Sequence, residues 1–234
     1  MNQITFQNAR EVTTAPAFAV GQQAQTPDGN KWVYVSASTG GLAKGSVGIP
    51  ATATAVDLVS SSTDALGRIV FITKASAGWT AGEFINDYVT VDDGTGVGQF
   101  ARIMDNTSDT LQLYPEYALT TALSVADSDI TITKPFHVVK AAITSKKQNA
   151  TGIAQVAFAA GDFGFLLYDG IGVVLAGASL TPIGSNFTTG DDTTGQVILG
   201  VTAEGPFNAQ NLGTVLVVNA AADQLATVRV KVNS

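Results

Sequence analysis

The chain has 234 residues, long enough for one large β domain or two small ones to bury a hydrophobic core without disulfides, and it contains no cysteine. Hydrophobic residues make up 45% and charged residues only 13%, and 19 acidic against 12 basic side chains give a formal net charge of -7. That balance repels phosphate backbones and argues against a nucleic-acid partner, and the absence of cysteine removes thiolate metal sites and cysteine nucleophiles.

The first residues (MNQITFQNAREVTTAPAF) carry scattered apolar groups, Ile4, Phe6 and Val12, with no clear period before Pro16. Residues 1–16 therefore read as an extended N-terminal arm. They show no basic segment followed by an apolar core, and no stretch of the chain approaches the ~20 apolar residues of a membrane span. The expectation is a chain made and assembled in a cytosol, with no membrane partner.

After the arm, short runs rich in Val, Ile, Thr and aromatics alternate with Gly, Asp, Asn and Pro, the signature of many short strands. Strands are expected at 31–36, 68–73, 88–91, 99–104, 110–114 and 129–133, then at 136–143, 163–168, 173–175, 197–201, 214–218 and 227–232. Pro27-Asp28-Gly29-Asn30 should reverse the chain into a hairpin, because proline fixes φ and glycine supplies φ > 0. Asp169-Gly170, between two apolar runs, is expected to turn the chain in the same way. One helical segment is expected, at residues 115–123 behind Pro115.

Without crossover helices there is no βαβ sheet, so the fold class is all-β, a sandwich or barrel. The polar run Ser60-Ser61-Ser62-Thr63-Asp64 and the pair Lys134-Pro135 mark two boundaries. The expected organisation is a main β-barrel or sandwich domain from 17–58 plus 136–234, with a small β domain, 59–135, inserted in it.

Candidate chemistry is sparse. The glycine cluster Asp92-Asp93-Gly94-Thr95-Gly96-Val97-Gly98 superficially resembles a phosphate-cradling loop. Strands flank it on both sides, a Gly-Lys-Ser/Thr ending is missing, and two aspartates would repel phosphate, so it reads as a hairpin loop. Acidic pairs at Asp92/Asp93, Asp127/Asp129 and Asp191/Asp192 lack the spaced series of a calcium loop and read as turn caps. His137 is the only histidine, so any histidine-based triad or metal site must pass through it; inside the alternating run 136–139 it reads as a packed side chain. The four glutamates, Glu11, Glu83, Glu116 and Glu204, suggest no favoured catalytic pair. Trp32, Tyr34, Trp79, Phe84, Tyr88, Phe163, Phe165 and Tyr168 are candidates for a sugar-binding face, but strand alternation assigns most of them to cores or subunit contacts. Lys134, Lys140, Lys146 and Lys147 form a small basic exception that suits an acidic partner surface or a solvated loop.

The segments TPDGNKWVYVSASTGGLAKGSV, DYVTVDDGTGVGQFARIMDNTSDTLQLYPEYALTTAL, KPFHVVKAA and AFAAGDFGFLLYDGIGVVLAG follow one another in an order that resembles tailed-bacteriophage virion structural proteins of the capsid decoration, or cement, type. The likeness spans most of residues 20–218 and rests on fold-making residues, so it carries over no catalytic or binding residue and no cofactor. It implies a non-enzymatic β-rich protein, a homotrimer on the outer surface of the virion head, stabilising it by bridging major capsid protein subunits. The alternative is a head-fibre or tail protein that binds host-surface glycans. On the decoration reading, Ile4, Phe6, Val12, Lys146 and Lys147 are the expected capsid or subunit contacts.

Overall fold

The structure, a computed structural model, describes residues 2–38, 40–140, 150–177, 183–184, 186–189, 197–199, 212–217 and 224–232. It is nearly all β and divides into two compact units, one of residues 1–51 with 135–234 and the other of residues 52–134.

In the first unit the strands are β1 (Asn2–Gln3), β2 (Val12–Thr13), β3 (Gln23–Gln25), β4 (Lys31–Ala37) and β5 (Val47–Pro50). In the second they are β6 (Thr54–Val56), β7 (Ser60–Thr63), β8 (Ile69–Thr73), β9 (Tyr88–Asp93), β10 (Phe100–Asn106), β11 (Thr110–Leu113) and β12 (Asp129–Thr133). The chain then returns to the first unit with β13 (His137–Lys140), β14 (Gly152–Ala154), β15 (Phe163–Leu175), β16 (Asn186–Thr189), β17 (Val197–Leu199), β18 (Gly213–Val217) and β19 (Leu225–Lys231).

Five strands of the first unit close a ring. β4 pairs β13 in parallel, and β13–β5, β5–β14, β14–β15 and β15–β4 are antiparallel. Side chains alternate across this wall. Val33, Val35, Val138, Ala154 and Leu166 form one cluster inside the ring, while Trp32, Tyr34, Ile49, Ile153, Phe165 and Leu167 belong to a larger cluster outside it. Both faces of β4 are therefore buried, which is why KWVYVSA is apolar almost throughout. A ring of so few strands has a narrow bore, and its inward positions are accordingly small: a Cβ at Gly48 would stand 2.8 Å from Leu166 Cδ1, and one at Gly152 2.8 Å from Leu166 Cβ.

β15 is the longest strand, 13 residues, and it changes partners midway. Its first half pairs β4 and β14, and its second half pairs β19, register Asp169↔Lys231 to Leu175↔Leu225, leading on to β18, β16 and β17. The hairpin expected at Asp169-Gly170 is corrected, since the two halves of β15 do not pair with each other; the strand nevertheless bends sharply there, with a register irregularity between Leu167 and Asp169, Gly170 at φ +137, and Gly172 brought so close to Leu167 that a Cβ on it would stand 2.5 Å from Leu167 Cδ2. The Pro27–Asn30 hairpin forms, with Ala24 opposite Trp32 and Gly29 at φ +89.

Residues 2–13 are not a free arm. β1 pairs β3, β2 pairs β15, and the short helix α1 (Phe6–Ala9), capped by Thr5, buries Ala9. Enough apolar surface is covered here to order a segment whose sequence has no period.

The second unit is one antiparallel sheet in the order β6-β12-β9-β10-β11-β8-β7. Its two end strands are joined by residues 57–59 alone, so the sheet curves back on itself. Val59 N donates to Ser128 O (2.9 Å) and Leu58 N to Asp129 Oδ1 (2.8 Å) at the seam. The concave side is a single core of Val70, Ile72, Val89, Val91, Ile103, Leu111, Leu113, Ile130 and Ile132, every second residue of its strands. The unit begins at residue 52 rather than 59, because β6 hydrogen-bonds to β12. The serine run 60–63, read as a boundary, is the edge strand β7; pairing with β8 needs only its backbone. The helical expectation at 115–123 shrinks to a 3-10 turn at Pro115–Tyr117.

Candidate interaction surface

On the outer side of the second unit's sheet, the alternation that sends Val89, Ala101, Ile103 and Leu113 inward sends Tyr88, Phe100, Arg102 and Tyr114 outward. Register places Tyr88 opposite Arg102 on the adjacent strands, with Phe100 diagonal to it. The rings of Tyr88 and Phe100 stack with centroids 5.3 Å apart and planes 12° off parallel. The Arg102 guanidinium carbon lies 5.2 Å from the Tyr114 ring centroid and 6.0 Å from that of Tyr88, a cation between two π faces. The 3-10 turn that Pro115 starts brings Tyr117 edge-on to Phe100 at 6.2 Å. Phe100 is 52% exposed and Tyr117 37%, so the row ends in apolar area open to solvent.

Asn86 fixes this row from below. It adopts φ +69, a left-handed conformation that asparagine tolerates better than most residues, and is buried. Its Oδ1 accepts from Arg102 Nη2 (2.9 Å) and from the Tyr114 hydroxyl (3.0 Å). Arg102 cannot swing free without breaking both a charge-assisted hydrogen bond and its ring contacts. Sequence reading picked out Tyr88 but missed Phe100, Arg102, Tyr114 and Tyr117. The signal was there: in FARIM and TLQLY the bulky polar or aromatic residues sit on the phase opposite the aliphatics.

One residue on, Asp87 is almost fully buried. Burial pushes its carboxyl up to about 8; the neighbouring Lys134 opposes the rise and Glu83 adds to it. Lys134 pairs with Glu83 Oε1 at 3.3 Å and lies 4.6 Å from the Phe84 ring centroid. This acid is shut away from solvent.

The other expected site residues are dispersed. Ile4 packs into the first unit's own core, Val12 is half-buried in β2, and Phe6 alone of the three is largely exposed. Lys146, Lys147, Asp191, Asp192 and Glu204 lie outside the described residues. Asp92 and Asp93 end β9, and residues 94–99 form the loop to antiparallel β10, with Gly94, Gly96 and Gly98 all at positive φ. Gly94 is required, since a Cβ there would collide with Asp127 O at 1.9 Å. Asp127 accepts from the Thr95 hydroxyl (3.0 Å) and Asp129 caps Leu58 N. His137 lies in β13, half-buried, and its carbonyl accepts from Ala51 N (2.7 Å). Among the proposed sugar-stacking aromatics, Trp32, Tyr34, Phe84 and Phe165 are core residues.

Among the described residues no three His, Cys, Asp or Glu side chains gather to hold a metal ion, and no helix is long and apolar enough to cross a membrane. Compared with protein-family profiles, with curated proteins and with solved structures, the chain finds no significant match in any of the three.

Proposed function

We propose that the chain is a structural, non-catalytic protein of a tailed-phage particle, a decoration protein that holds to the outer surface of the head and bridges subunits of the major capsid protein. The observation that carries this reading is the Tyr117–Phe100–Tyr88–Arg102–Tyr114 row. Tyrosine and arginine dominate the residues that supply most binding energy at protein interfaces, and here they are already ordered, so little side-chain entropy is lost on docking. The segment order that resembles decoration proteins supports the same assignment. A homotrimer offers this face three times, so each contact can be weak. The net charge of -7 suits an exterior away from packaged DNA.

The test is rebinding of the purified protein to stripped phage heads, with mass spectrometry of intact virions alongside. Removing two anchors in Phe100→Ala/Tyr117→Ala should leave the circular dichroism spectrum unchanged and lower affinity by at least about 30-fold, the equivalent of ~2 kcal/mol for one hot-spot residue. Absence of the protein from purified virions, or full occupancy by the double variant, overturns the proposal.

The exposed Tyr88–Phe100 stack favours one second reading, a head-fibre or tail protein whose rings lie against a sugar of the host surface. A glycan array decides it: selective binding lost in Phe100→Ala supports the reading, and silence removes it.

A further inference from the structure

A cleft of about 810 Å³ in the first unit lies beside the second half of β15, and its size falls in the range of small-molecule sites. Helix α1 and its cap border it with Phe6, Ala9 and Arg10, which a spacing of three and four residues sets on one helical face. β15 contributes Ile171 and Val173, and the turn before β5 contributes Lys44. Phe6 is 49% exposed and Ile171 60%, so apolar area stands open on these walls. The strand edge alongside is already taken by this chain. Leu175 N donates to Gly45 O (2.9 Å), and Asn30 bonds both the N–H (2.9 Å) and the carbonyl (3.3 Å) of Ile171. No further strand can add there, and the space suits a compact molecule.

The polar groups around the cleft decide which molecule. Asn30 Nδ2 also donates to Asp28 Oδ2 (2.8 Å), so both ends of that carboxamide are engaged. Gln155 Oε1 accepts from Val173 N (2.9 Å) and its Nε2 donates to Val173 O (3.0 Å). Trp32 Nε1 donates to the Thr26 hydroxyl (3.0 Å), and that hydroxyl donates to Asp28 Oδ1 (2.6 Å). The amides, the indole and the carboxylate on the cleft are thus satisfied from within. Arg10 and Lys44 are not: among the described residues neither makes an ion pair or a side-chain hydrogen bond. Both side chains carry only N–H donors and a positive charge. A ligand that completes this cleft brings acceptors, negative charge and an apolar body.

We propose that the cleft binds a small organic anion, a carboxylate or sulfate on an apolar body, with Arg10 and Lys44 holding the charged end and Phe6 and Ile171 covering the rest. Charge-assisted hydrogen bonds from two cations fix the headgroup, while burial of the rings or chain against the two exposed side chains adds affinity without direction.

The experiment uses the full chain and two dyes. Anilinonaphthalenesulfonate is an aromatic anion that fluoresces on leaving water; phenylnaphthylamine has the same rings without the sulfonate. Trp32 borders the cleft and the only other tryptophan is Trp79, so in a Trp79→Phe background energy transfer from tryptophan to dye reports binding at this place. The anionic dye should bind, and Arg10→Gln/Lys44→Gln, both at exposed positions, should weaken it by at least about tenfold while leaving phenylnaphthylamine unchanged. Equilibrium dialysis of the two dyes against the wild-type chain and the double variant makes the same comparison with Trp79 in place. Failure of the anionic dye to bind, full binding by the double variant, or an equal loss of both dyes overturns the proposal.

Discussion

Asp87 offers a direct test of how the second unit is held together. In the unfolded chain its carboxyl loses its proton near pH 4, whereas in the folded protein burial delays that loss to about 8. Between these values the folded state carries a proton that the unfolded state has released, so every rise in pH across the interval favours unfolding. The displacement is about four pH units, and at ~1.4 kcal/mol per unit the full loss from pH 4 to pH 8 is on the order of 5 kcal/mol. Asp87→Asn keeps the shape and removes the ionisation. The reporter is at hand: the chain has two tryptophans, and Trp79 packs edge-on against Phe84 at 5.6 Å within this unit, so a Trp32→Phe background makes urea unfolding report on the second unit alone. The Asp87 protein should lose stability steadily between pH 4.5 and 8, while the Asp87→Asn protein holds level over that range and ends the more stable of the two. Parallel pH profiles for the two proteins would refute the reasoning.

Leu166 fills the bore of the five-stranded ring among glycines that cannot close over a void, so Leu166→Ala should cost about 4–5 kcal/mol by calorimetry, near the top of the leucine-to-alanine range. Asn106, buried, accepts from Phe84 N (2.8 Å) and donates to Thr80 O (2.8 Å) and Thr107 O (2.9 Å). In Asn106→Asp a charged acceptor faces those two carbonyls; a loss of about 2–4 kcal/mol at pH 7, partly recovered near pH 4 where the acid gains a proton, should appear in chemical denaturation.

Most strands were legible because apolar residues recur at every second position, as in Thr110–Leu113, or fill both faces, as in Lys31–Ala37. The strands missed were short or poor in apolar residues: Ser60–Thr63, at the edge, Thr54–Val56 and Asn186–Thr189, the pairs Asn2–Gln3 and Val12–Thr13, and two buried staves of the ring, Val47–Pro50 and Gly152–Ala154, whose inward positions are glycines that carry no apolar signal. Asp169-Gly170 misled because the same dipeptide serves a tight turn or a strand bend, and only the change of partner from β4 to β19 distinguishes them. The arm misled for a different reason, since Ile4 and Ala9 find their burial against residues far away in sequence. Of the candidate surface, the outward phase of Phe100 and Arg102 could be read from alternation, but their convergence with Tyr114 and Tyr117 depends on which strands are neighbours and on the turn after β11. The role of Asn86 was hidden, because a lone asparagine in a loop gives no hint that its oxygen will bind two partners.

The shared strand β15 also governs how the first unit can come apart. As one continuous stave of both the closed ring and the open extension, it transmits any peeling of β19 directly into the barrel wall. Under load, that unit should therefore rupture in a single step, with no half-dismantled stage at which the ring stands and the extension has gone.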